Sequence, residues 1–260
     1  MSVGKERGVT EMKNRFDLTG KVAIVTGAGQ GLGASMAHAL ADAGASLVCA
    51  SRTVSKAEEV CAEIIKNGGS SISVHVDVGD AQSVDKMVKQ TLEKYGTIDI
   101  LVNNAGTNHR ELCVNMTEEQ WDDVIRVNLK GVFLCSRAVG PTLIEKKRGK
   151  VINIASVMGS ATLPARGPYS SSKAAVIQFT KLLALEWAPY NINVNAIGPG
   201  YFTGRMNSTL KDADSILNHI PMGRMADPEE LAGAIIYLSS DASNYVTGQT
   251  LFVDGGFLCL

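Results

Sequence analysis

The chain has 260 residues, of which 45% are hydrophobic and 20% charged, with a formal net charge of −1. This composition belongs to a globular chain with a substantial core rather than a disordered one. The near-zero balance gives no global field for nucleic acid or an anionic membrane, so neither is expected as a partner. Five cysteines (Cys49, Cys61, Cys113, Cys135 and Cys259), odd in number and without a CxxC pair, argue against a disulfide framework or a zinc site. Reduced thiols in a cytoplasmic protein without a metal are the expectation.

Residues 1–16 mix Lys5, Glu6, Arg7, Glu11, Lys13 and Arg15 without an apolar core, which predicts a flexible tail and not a secretory signal. No apolar stretch is long enough to span a bilayer. From there apolar runs of strand length alternate with helical patterns. Lys21–Thr26 reads as a strand and Leu32–Ala43 as a helix stopped by Gly44. Ser46–Ala50 is the next strand and Lys56–Asn67 a helix closed by Gly68 and Gly69. Ser71–Val76, Ile98–Asn103, Lys150–Ala155, Ile192–Ile197 and Thr250–Val253 are further strands. Ala81–Tyr95, Glu118–Glu145, Ser170–Ala188 and Pro228–Ser239 are the helices between them. Seven strands with crossover helices predict an α/β chain. It is expected to be a single Rossmann-type, doubly wound domain over 17–260, with a seven-stranded parallel sheet and helices on both faces. Residues 201–220 are irregular for longer than a simple connection needs, which predicts a substrate lid.

The segment Thr26-Gly27-Ala28-Gly29-Gln30-Gly31-Leu32-Gly33 lies between the first strand and the first helix. Glycines there allow a tight turn and bring backbone N–H groups to a pyrophosphate at a helix N-terminus. The second strand ends Ala50-Ser51-Arg52, without the carboxylate that would accept from both ribose hydroxyls. Arg52 can pair with a 2′-phosphate, so NADP(H) is favoured; NAD(H) stays open if Arg52 is solvated or stacks on adenine. Asp77, after the third strand, either contacts adenine or caps the helix that starts near Ala81.

Tyr169 and Lys173 are four residues apart on a helix and share a face. A nearby ammonium favours a phenolate, which suits Tyr169 to acid/base work. Ser156 follows a strand at its C-terminal end, where open α/β sheets bind ligands, and can hydrogen-bond a substrate oxygen. Asn104 also lies just past a strand end. Asn128 is a polar residue in an apolar helical run; its alternative is a solvent-facing or locally bonded Asn.

These pieces together resemble the short-chain dehydrogenase/reductase family over about residues 17–256. The matching segments are TGAGQGLG (26–33), NNAG (103–106), VNLKG (127–131), Ser156, YSSSK (169–173), NAIGPG (195–200) and VDGG (253–256). The resemblance implies a catalytic tetrad of Asn128, Ser156, Tyr169 and Lys173. In it Ser156 orients the carbonyl, Lys173 holds the ribose hydroxyls and lowers the Tyr169 pKa, and Asn128 holds a water that relays protons toward Lys173. It implies a cofactor site of Gly27, Gln30, Gly31, Leu32, Gly33, Ser51, Arg52, Asp77, Val78, Asn104, Ala105, Gly106, Tyr169, Lys173, Pro199, Gly200 and Phe202. It also implies a homotetramer built on the helices 118–145 and 170–188, and the apolar end Phe257–Leu260 is expected at a subunit contact. One departure stands out: related sequences often carry Thr five residues after Pro199, where this chain has Gly204, with Thr203 one place earlier.

For the substrate, Arg110 follows a strand end and can pair with a carboxylate or face solvent, and Arg205 in the lid is a second candidate. With GPGYF (198–202), the basic residue resembles the gluconate 5-dehydrogenase and deoxygluconate dehydrogenase branch. His109 reads as an exposed loop residue. The expected activity is NAD(P)(H)-dependent hydride transfer to or from an alcohol or ketone carbon, in a polar hydroxy/keto compound such as a sugar acid or polyol. The alternative is a 3-oxoacyl-ACP/CoA reductase, and a third reading is a non-catalytic NADP(H)-binding protein.

Overall fold

The computed structural model describes residues 14–204 and 217–259. Seven strands form one sheet in the order β3-β2-β1-β4-β5-β6-β7, and every adjacent pair is parallel. They are β1 Val22–Thr26, β2 Ser46–Ser51, β3 Ser71–His75, β4 Ile100–Asn103, β5 Gly149–Ile154, β6 Ile192–Pro199 and β7 Thr250–Val253. Strands β1, β4 and β5 are buried along their whole length, which is why they are nearly continuous apolar runs rather than alternating ones.

Successive side chains of a strand point to opposite faces. Ala23 and Val25 of β1 therefore join one core, with Met36 and Leu40 of α1 (Gly31–Asp42), Val60 and Ile64 of α2 (Val54–Lys66), and Ile235 of the last helix. Ile24 joins the opposite core, with Met87 of α3 (Ala81–Tyr95) and with Val139, Leu143 and Trp187. Helices thus cover both faces, in the doubly wound arrangement the sequence predicts. The chain runs outward from β1 to β3 and returns to β4 on the other side of β1. The order reverses there, and a crevice opens at the strand C-termini.

Three boundaries differ from the sequence reading. The helix predicted over 118–145 is broken: α4 (Glu118–Ile125) and α5 (Gly131–Lys146) flank a π-turn at Arg126–Lys130, closed by Gly131 N–H donating to Arg126 O. Gly131 admits this because a Cβ there would meet Val78 Cγ2 at 2.7 Å. The next helix, α6 (Gly167–Trp187), begins three residues earlier than predicted. Pro168 fits its first turn, where no N–H is needed. The predicted helix 228–239 is a 3₁₀ turn, Pro228–Leu231, followed by α7, Ala232–Ser239; Asp227 and Glu230 form a capping box at its start.

Candidate active site

The glycine turn shapes one end of a crevice of about 620 Å³. Gly27 and Gly31 have φ of 68° and 57°, in the left-handed region. A Cβ on Gly33 would collide with Gly27 O, so α1 can begin against the turn only with glycine there. Gln30 N-caps α1 without a side-chain bond to it, and no acidic residue occupies the first turn. The opening N–H groups of α1 therefore face the crevice without a competing side chain, the arrangement an anionic pyrophosphate requires. Gly27, Gln30, Gly31, Leu32 and Gly33 all line the crevice.

Ser51, Arg52, Asp77 and Val78 line the crevice at the end of β2 and after β3. The carboxylate of Asp77 accepts from the Gly79 N–H at 2.8 Å and from Arg126 at 3.0 Å. Partial burial by itself raises that carboxyl; Gly79 and Arg126 outweigh it and hold the group below its ordinary range. Asp77 does not cap α3; Asp80 does, through Gln82 N–H. Lys56 was missed by the sequence reading. It lines the same end and donates to Gln30 Oε1 at 2.7 Å, so two cations face the place where a 2′-phosphate would lie. Its place in the first turn of the helix that follows Arg52 was the available signal. Cavity size, open helix N-terminus and cationic rim together fit a phosphorylated dinucleotide.

Beyond β4, Asn104 Nδ2 donates to Thr26 O at 2.9 Å and ties this strand end to the glycine turn. Asn104, Ala105 and Gly106 line the middle of the crevice. Asn128 sits in the π-turn and is completely buried. Its Oδ1 accepts from Thr107 N–H at 2.8 Å, and its Nδ2 donates to Thr107 O at 3.0 Å and to Ser172 Oγ at 3.1 Å. The side chain is thus neither solvent-facing nor locally bonded: it clamps the residue after Gly106 to α6. Asn128→Ala leaves a backbone pair without partners. We expect a stability loss of about 2–4 kcal/mol, read by urea unfolding; a loss near zero would refute the clamp.

Ser156 leaves β5 in extended backbone, buried, and accepts from Met158 N–H at 3.1 Å. Its hydroxyl acts on the phenol of Tyr169 in the sense that favours the phenolate, and both residues line the crevice. One turn along α6, Lys173 is buried, donates to Ile154 O at 2.6 Å and lies 5.8 Å from the Tyr169 ring centroid. Burial pulls the Lys173 ammonium down to about 8. Burial also pushes the Tyr169 phenol above its ordinary value, with Ser156 and Arg166 acting in the opposite sense. This differs from the lowered pKa the resemblance implies: desolvation disfavours the phenolate, and the ammonium sits over the ring and bonds a carbonyl.

Pro199, Gly200 and Phe202 line the far end beside Tyr169. The Gly204 departure has a structural counterpart. Gly204 has φ 128°, a conformation closed to threonine, while Thr203 donates its hydroxyl to Asp227 at 3.1 Å. Both residues line the crevice. Arg110 is exposed and lies outside the crevice lining, within electrostatic reach of Arg166 and Tyr201. His109 faces Asp123 at 3.4 Å. Arg205 and most of the predicted lid lie outside the described residues. Phe257 and Leu258 pack against the chain's own Tyr201, Val157 and Met158, because the Tyr201 ring offers Phe257 an edge-to-face partner at 5.4 Å. Among the described residues no cluster of three metal-ligating side chains occurs, and no helix is long and apolar enough to cross a membrane.

The family model described as enoyl-(acyl carrier protein) reductase, a short-chain dehydrogenase model, matches residues 27–258. A 3-oxoacyl-[acyl-carrier-protein] reductase from Synechocystis sp. is 45% identical over 243 residues, covering 93% of this chain and 98% of the relative. A 2-dehydro-3-deoxy-D-gluconate 5-dehydrogenase from Dickeya dadantii is 41% identical over 253 residues, 94% and 98% of the two chains. The crystal structure of a gluconate 5-dehydrogenase from Burkholderia cenocepacia, in complex with NADP and tartrate, superposes with a TM-score of 0.91 at 38% identity. It covers 95% of this chain and 98% of that one. The chain belongs to the short-chain dehydrogenase/reductase family and is an oxidoreductase acting on CH–OH or keto groups.

Proposed function

We propose that the chain is an NADP(H)-dependent oxidoreductase of a polar hydroxy or keto compound, a sugar acid or polyol, with Tyr169 as its acid/base. The observation that carries this is Tyr169 and Ser156 lining the end of a dinucleotide-sized crevice, with the buried Lys173 ammonium 5.8 Å from the Tyr169 ring centroid. When bound, the nicotinamide supplies or accepts the hydride. Ser156 holds the substrate oxygen, and Tyr169 gives that oxygen a proton in reduction and takes one in oxidation. Lys173, one turn away, keeps positive charge beneath the phenol and offers its remaining donors to ribose hydroxyls. Asn128 is a positioning residue, acting through Thr107 and Ser172. Arg52 and Lys56 favour the 2′-phosphorylated cofactor. The second reading, reduction of 3-oxoacyl thioesters, draws on the Synechocystis relative. A screen at 340 nm with NADH and NADPH, over hydroxy acids, polyols, ketones and 3-oxoacyl thioesters, decides between them; no turnover on any would reject both.

The Lys173 ammonium, pulled down to about 8 by burial, also sets a pH dependence. Reduction needs that charge beside Tyr169, and oxidation needs its proton gone. For reduction, kcat/KM is expected to be flat up to that pH and then to fall about tenfold per unit; for oxidation it rises to a plateau. Profiles without a break between pH 6 and 10 would contradict this.

For assembly, we propose the homotetramer. The exposed apolar residues Trp121, Phe133, Leu182 and Leu185, the last 78% exposed, lie on α4, α5 and α6 and suit contact with a second copy. Monomeric sedimentation at micromolar concentration would reject it. A cytoplasmic location accords with five free thiols.

A further inference from the structure

A second pocket, of about 270 Å³, lies at the strand N-termini, on the edge of the sheet away from the crevice. Four neighbouring strands, β1, β4, β5 and β6, each give it the residue just before their first: Lys21, Asp99, Arg148 and Asn191. Asn191 holds φ 57°, a left-handed conformation that asparagine tolerates. Ser239 and Asp241, at the end of α7 and just beyond it, complete the lining. Lys150 enters it from the start of β5. Ile100 is the only apolar side chain among the described residues that line this pocket, so it suits a polar ligand.

Its charges favour an anion. Lys150, 8% exposed, donates to Asn193 Oδ1 at 2.8 Å, Asn244 Oδ1 at 2.9 Å and Ser243 Oγ at 3.2 Å. All three acceptors are neutral, so the ammonium is fixed in place without an ion pair. Asp241 eases the buried charge only in part, since burial still pulls it down to about 8. Both carboxylates of the wall are already engaged: Asp99 with Lys146 at 2.5 Å and Asp241 with Arg148 at 2.9 Å. Among the described residues neither Lys21 nor Lys150 forms an ion pair. Ser239 Oγ is buried and has no hydrogen-bond partner among them. Buried polar atoms are nearly always paired, so an orphan beside a cavity points to a missing ligand or water.

We infer that this pocket binds the phosphate group of a small polar metabolite through Lys21 and Arg148, beside the fixed Lys150 charge and with Ser239 as a hydroxyl donor. A lysine ammonium serves phosphate as a point charge, and arginine adds directed bonds. The volume exceeds that of one phosphate and leaves room for a hydroxylated remainder, which the Asn191 amide can meet. Tyr169 and Ser156 line the crevice at the opposite strand ends, so the occupant does not compete with the cofactor. The inference stands whether or not the oxidoreductase reading holds.

The test is calorimetric titration with inorganic phosphate and with glycerol 3-phosphate, at constant ionic strength, without cofactor and with saturating NADPH. Reduced cofactor occupies the crevice and cannot oxidise the probe alcohol. One saturable equivalent is expected in both conditions. Lys21→Gln is expected to weaken it at least about tenfold, Asn191→Asp to weaken it by added repulsion, and Lys21→Arg to keep most of it. Tighter binding of glycerol 3-phosphate than of phosphate supports the site with a phosphorylated metabolite as its occupant; equal affinity supports it with free phosphate. Melting temperature without phosphate shows that each variant is folded. General stabilisation by phosphate acts on every variant alike, so only the difference between variants counts. No saturable binding of either probe, binding abolished by NADPH, or equal binding in Lys21→Gln overturns the site.

Discussion

Tyr169→Phe is expected to lower kcat by about 10²–10⁴-fold while NADP(H) affinity stays near that of the parent protein. The substitution keeps the ring, its packing against the Val157–Met158–Tyr201 cluster and its place above Lys173. It removes only the phenol hydroxyl. Ser156 is engaged by Met158 N–H and Lys173 by Ile154 O, so neither is placed to replace the lost proton donor. Steady-state rates with cofactor titration by fluorescence check this. A variant retaining most of its activity would remove Tyr169 from the chemistry. Loss of cofactor binding in step with rate would make it a structural residue.

The second large effect concerns cofactor choice. Arg52→Asp combined with Lys56→Gln is expected to lower the preference for NADPH over NADH, taken as the ratio of kcat/KM values, by about 10²–10⁴-fold. Each charge-assisted bond to a 2′-phosphate contributes about 1.5–3 kcal/mol, and two are removed. The new carboxylate at the end of β2 would also repel the phosphate and accept from ribose hydroxyls. Both cations line the same end of the crevice, and Lys56 is already oriented by Gln30. A ratio unchanged in the double variant would show that the 2′ position is read elsewhere, or not at all.

The crevice was legible in the sequence because its signals are local. Gly27 and Gly31 need left-handed backbone, Gly33 needs space against Gly27 O, and an i, i+4 pair must share a helix face. Each is a constraint between residues close in the chain. The π-turn escaped because helical periodicity cannot register one widened turn; the departure follows from Asn128 reaching Thr107 and from Gly131 packing on Val78.

The Tyr169 pKa shows the same division. A lysine four residues on predicts a lowered phenol, but the balance depends on how much water the fold removes. Here burial raises the phenol and lowers the ammonium. By itself the sequence determined the seven-stranded alternation, the phosphate turn and the identity of the reactive groups, since periodicity, backbone freedom and functional-group chemistry belong to single residues and near neighbours. Only the tertiary structure decided which groups are desolvated and where a buried asparagine directs its bonds. Those quantities depend on what packs around a residue, and the packing partners come from distant parts of the chain.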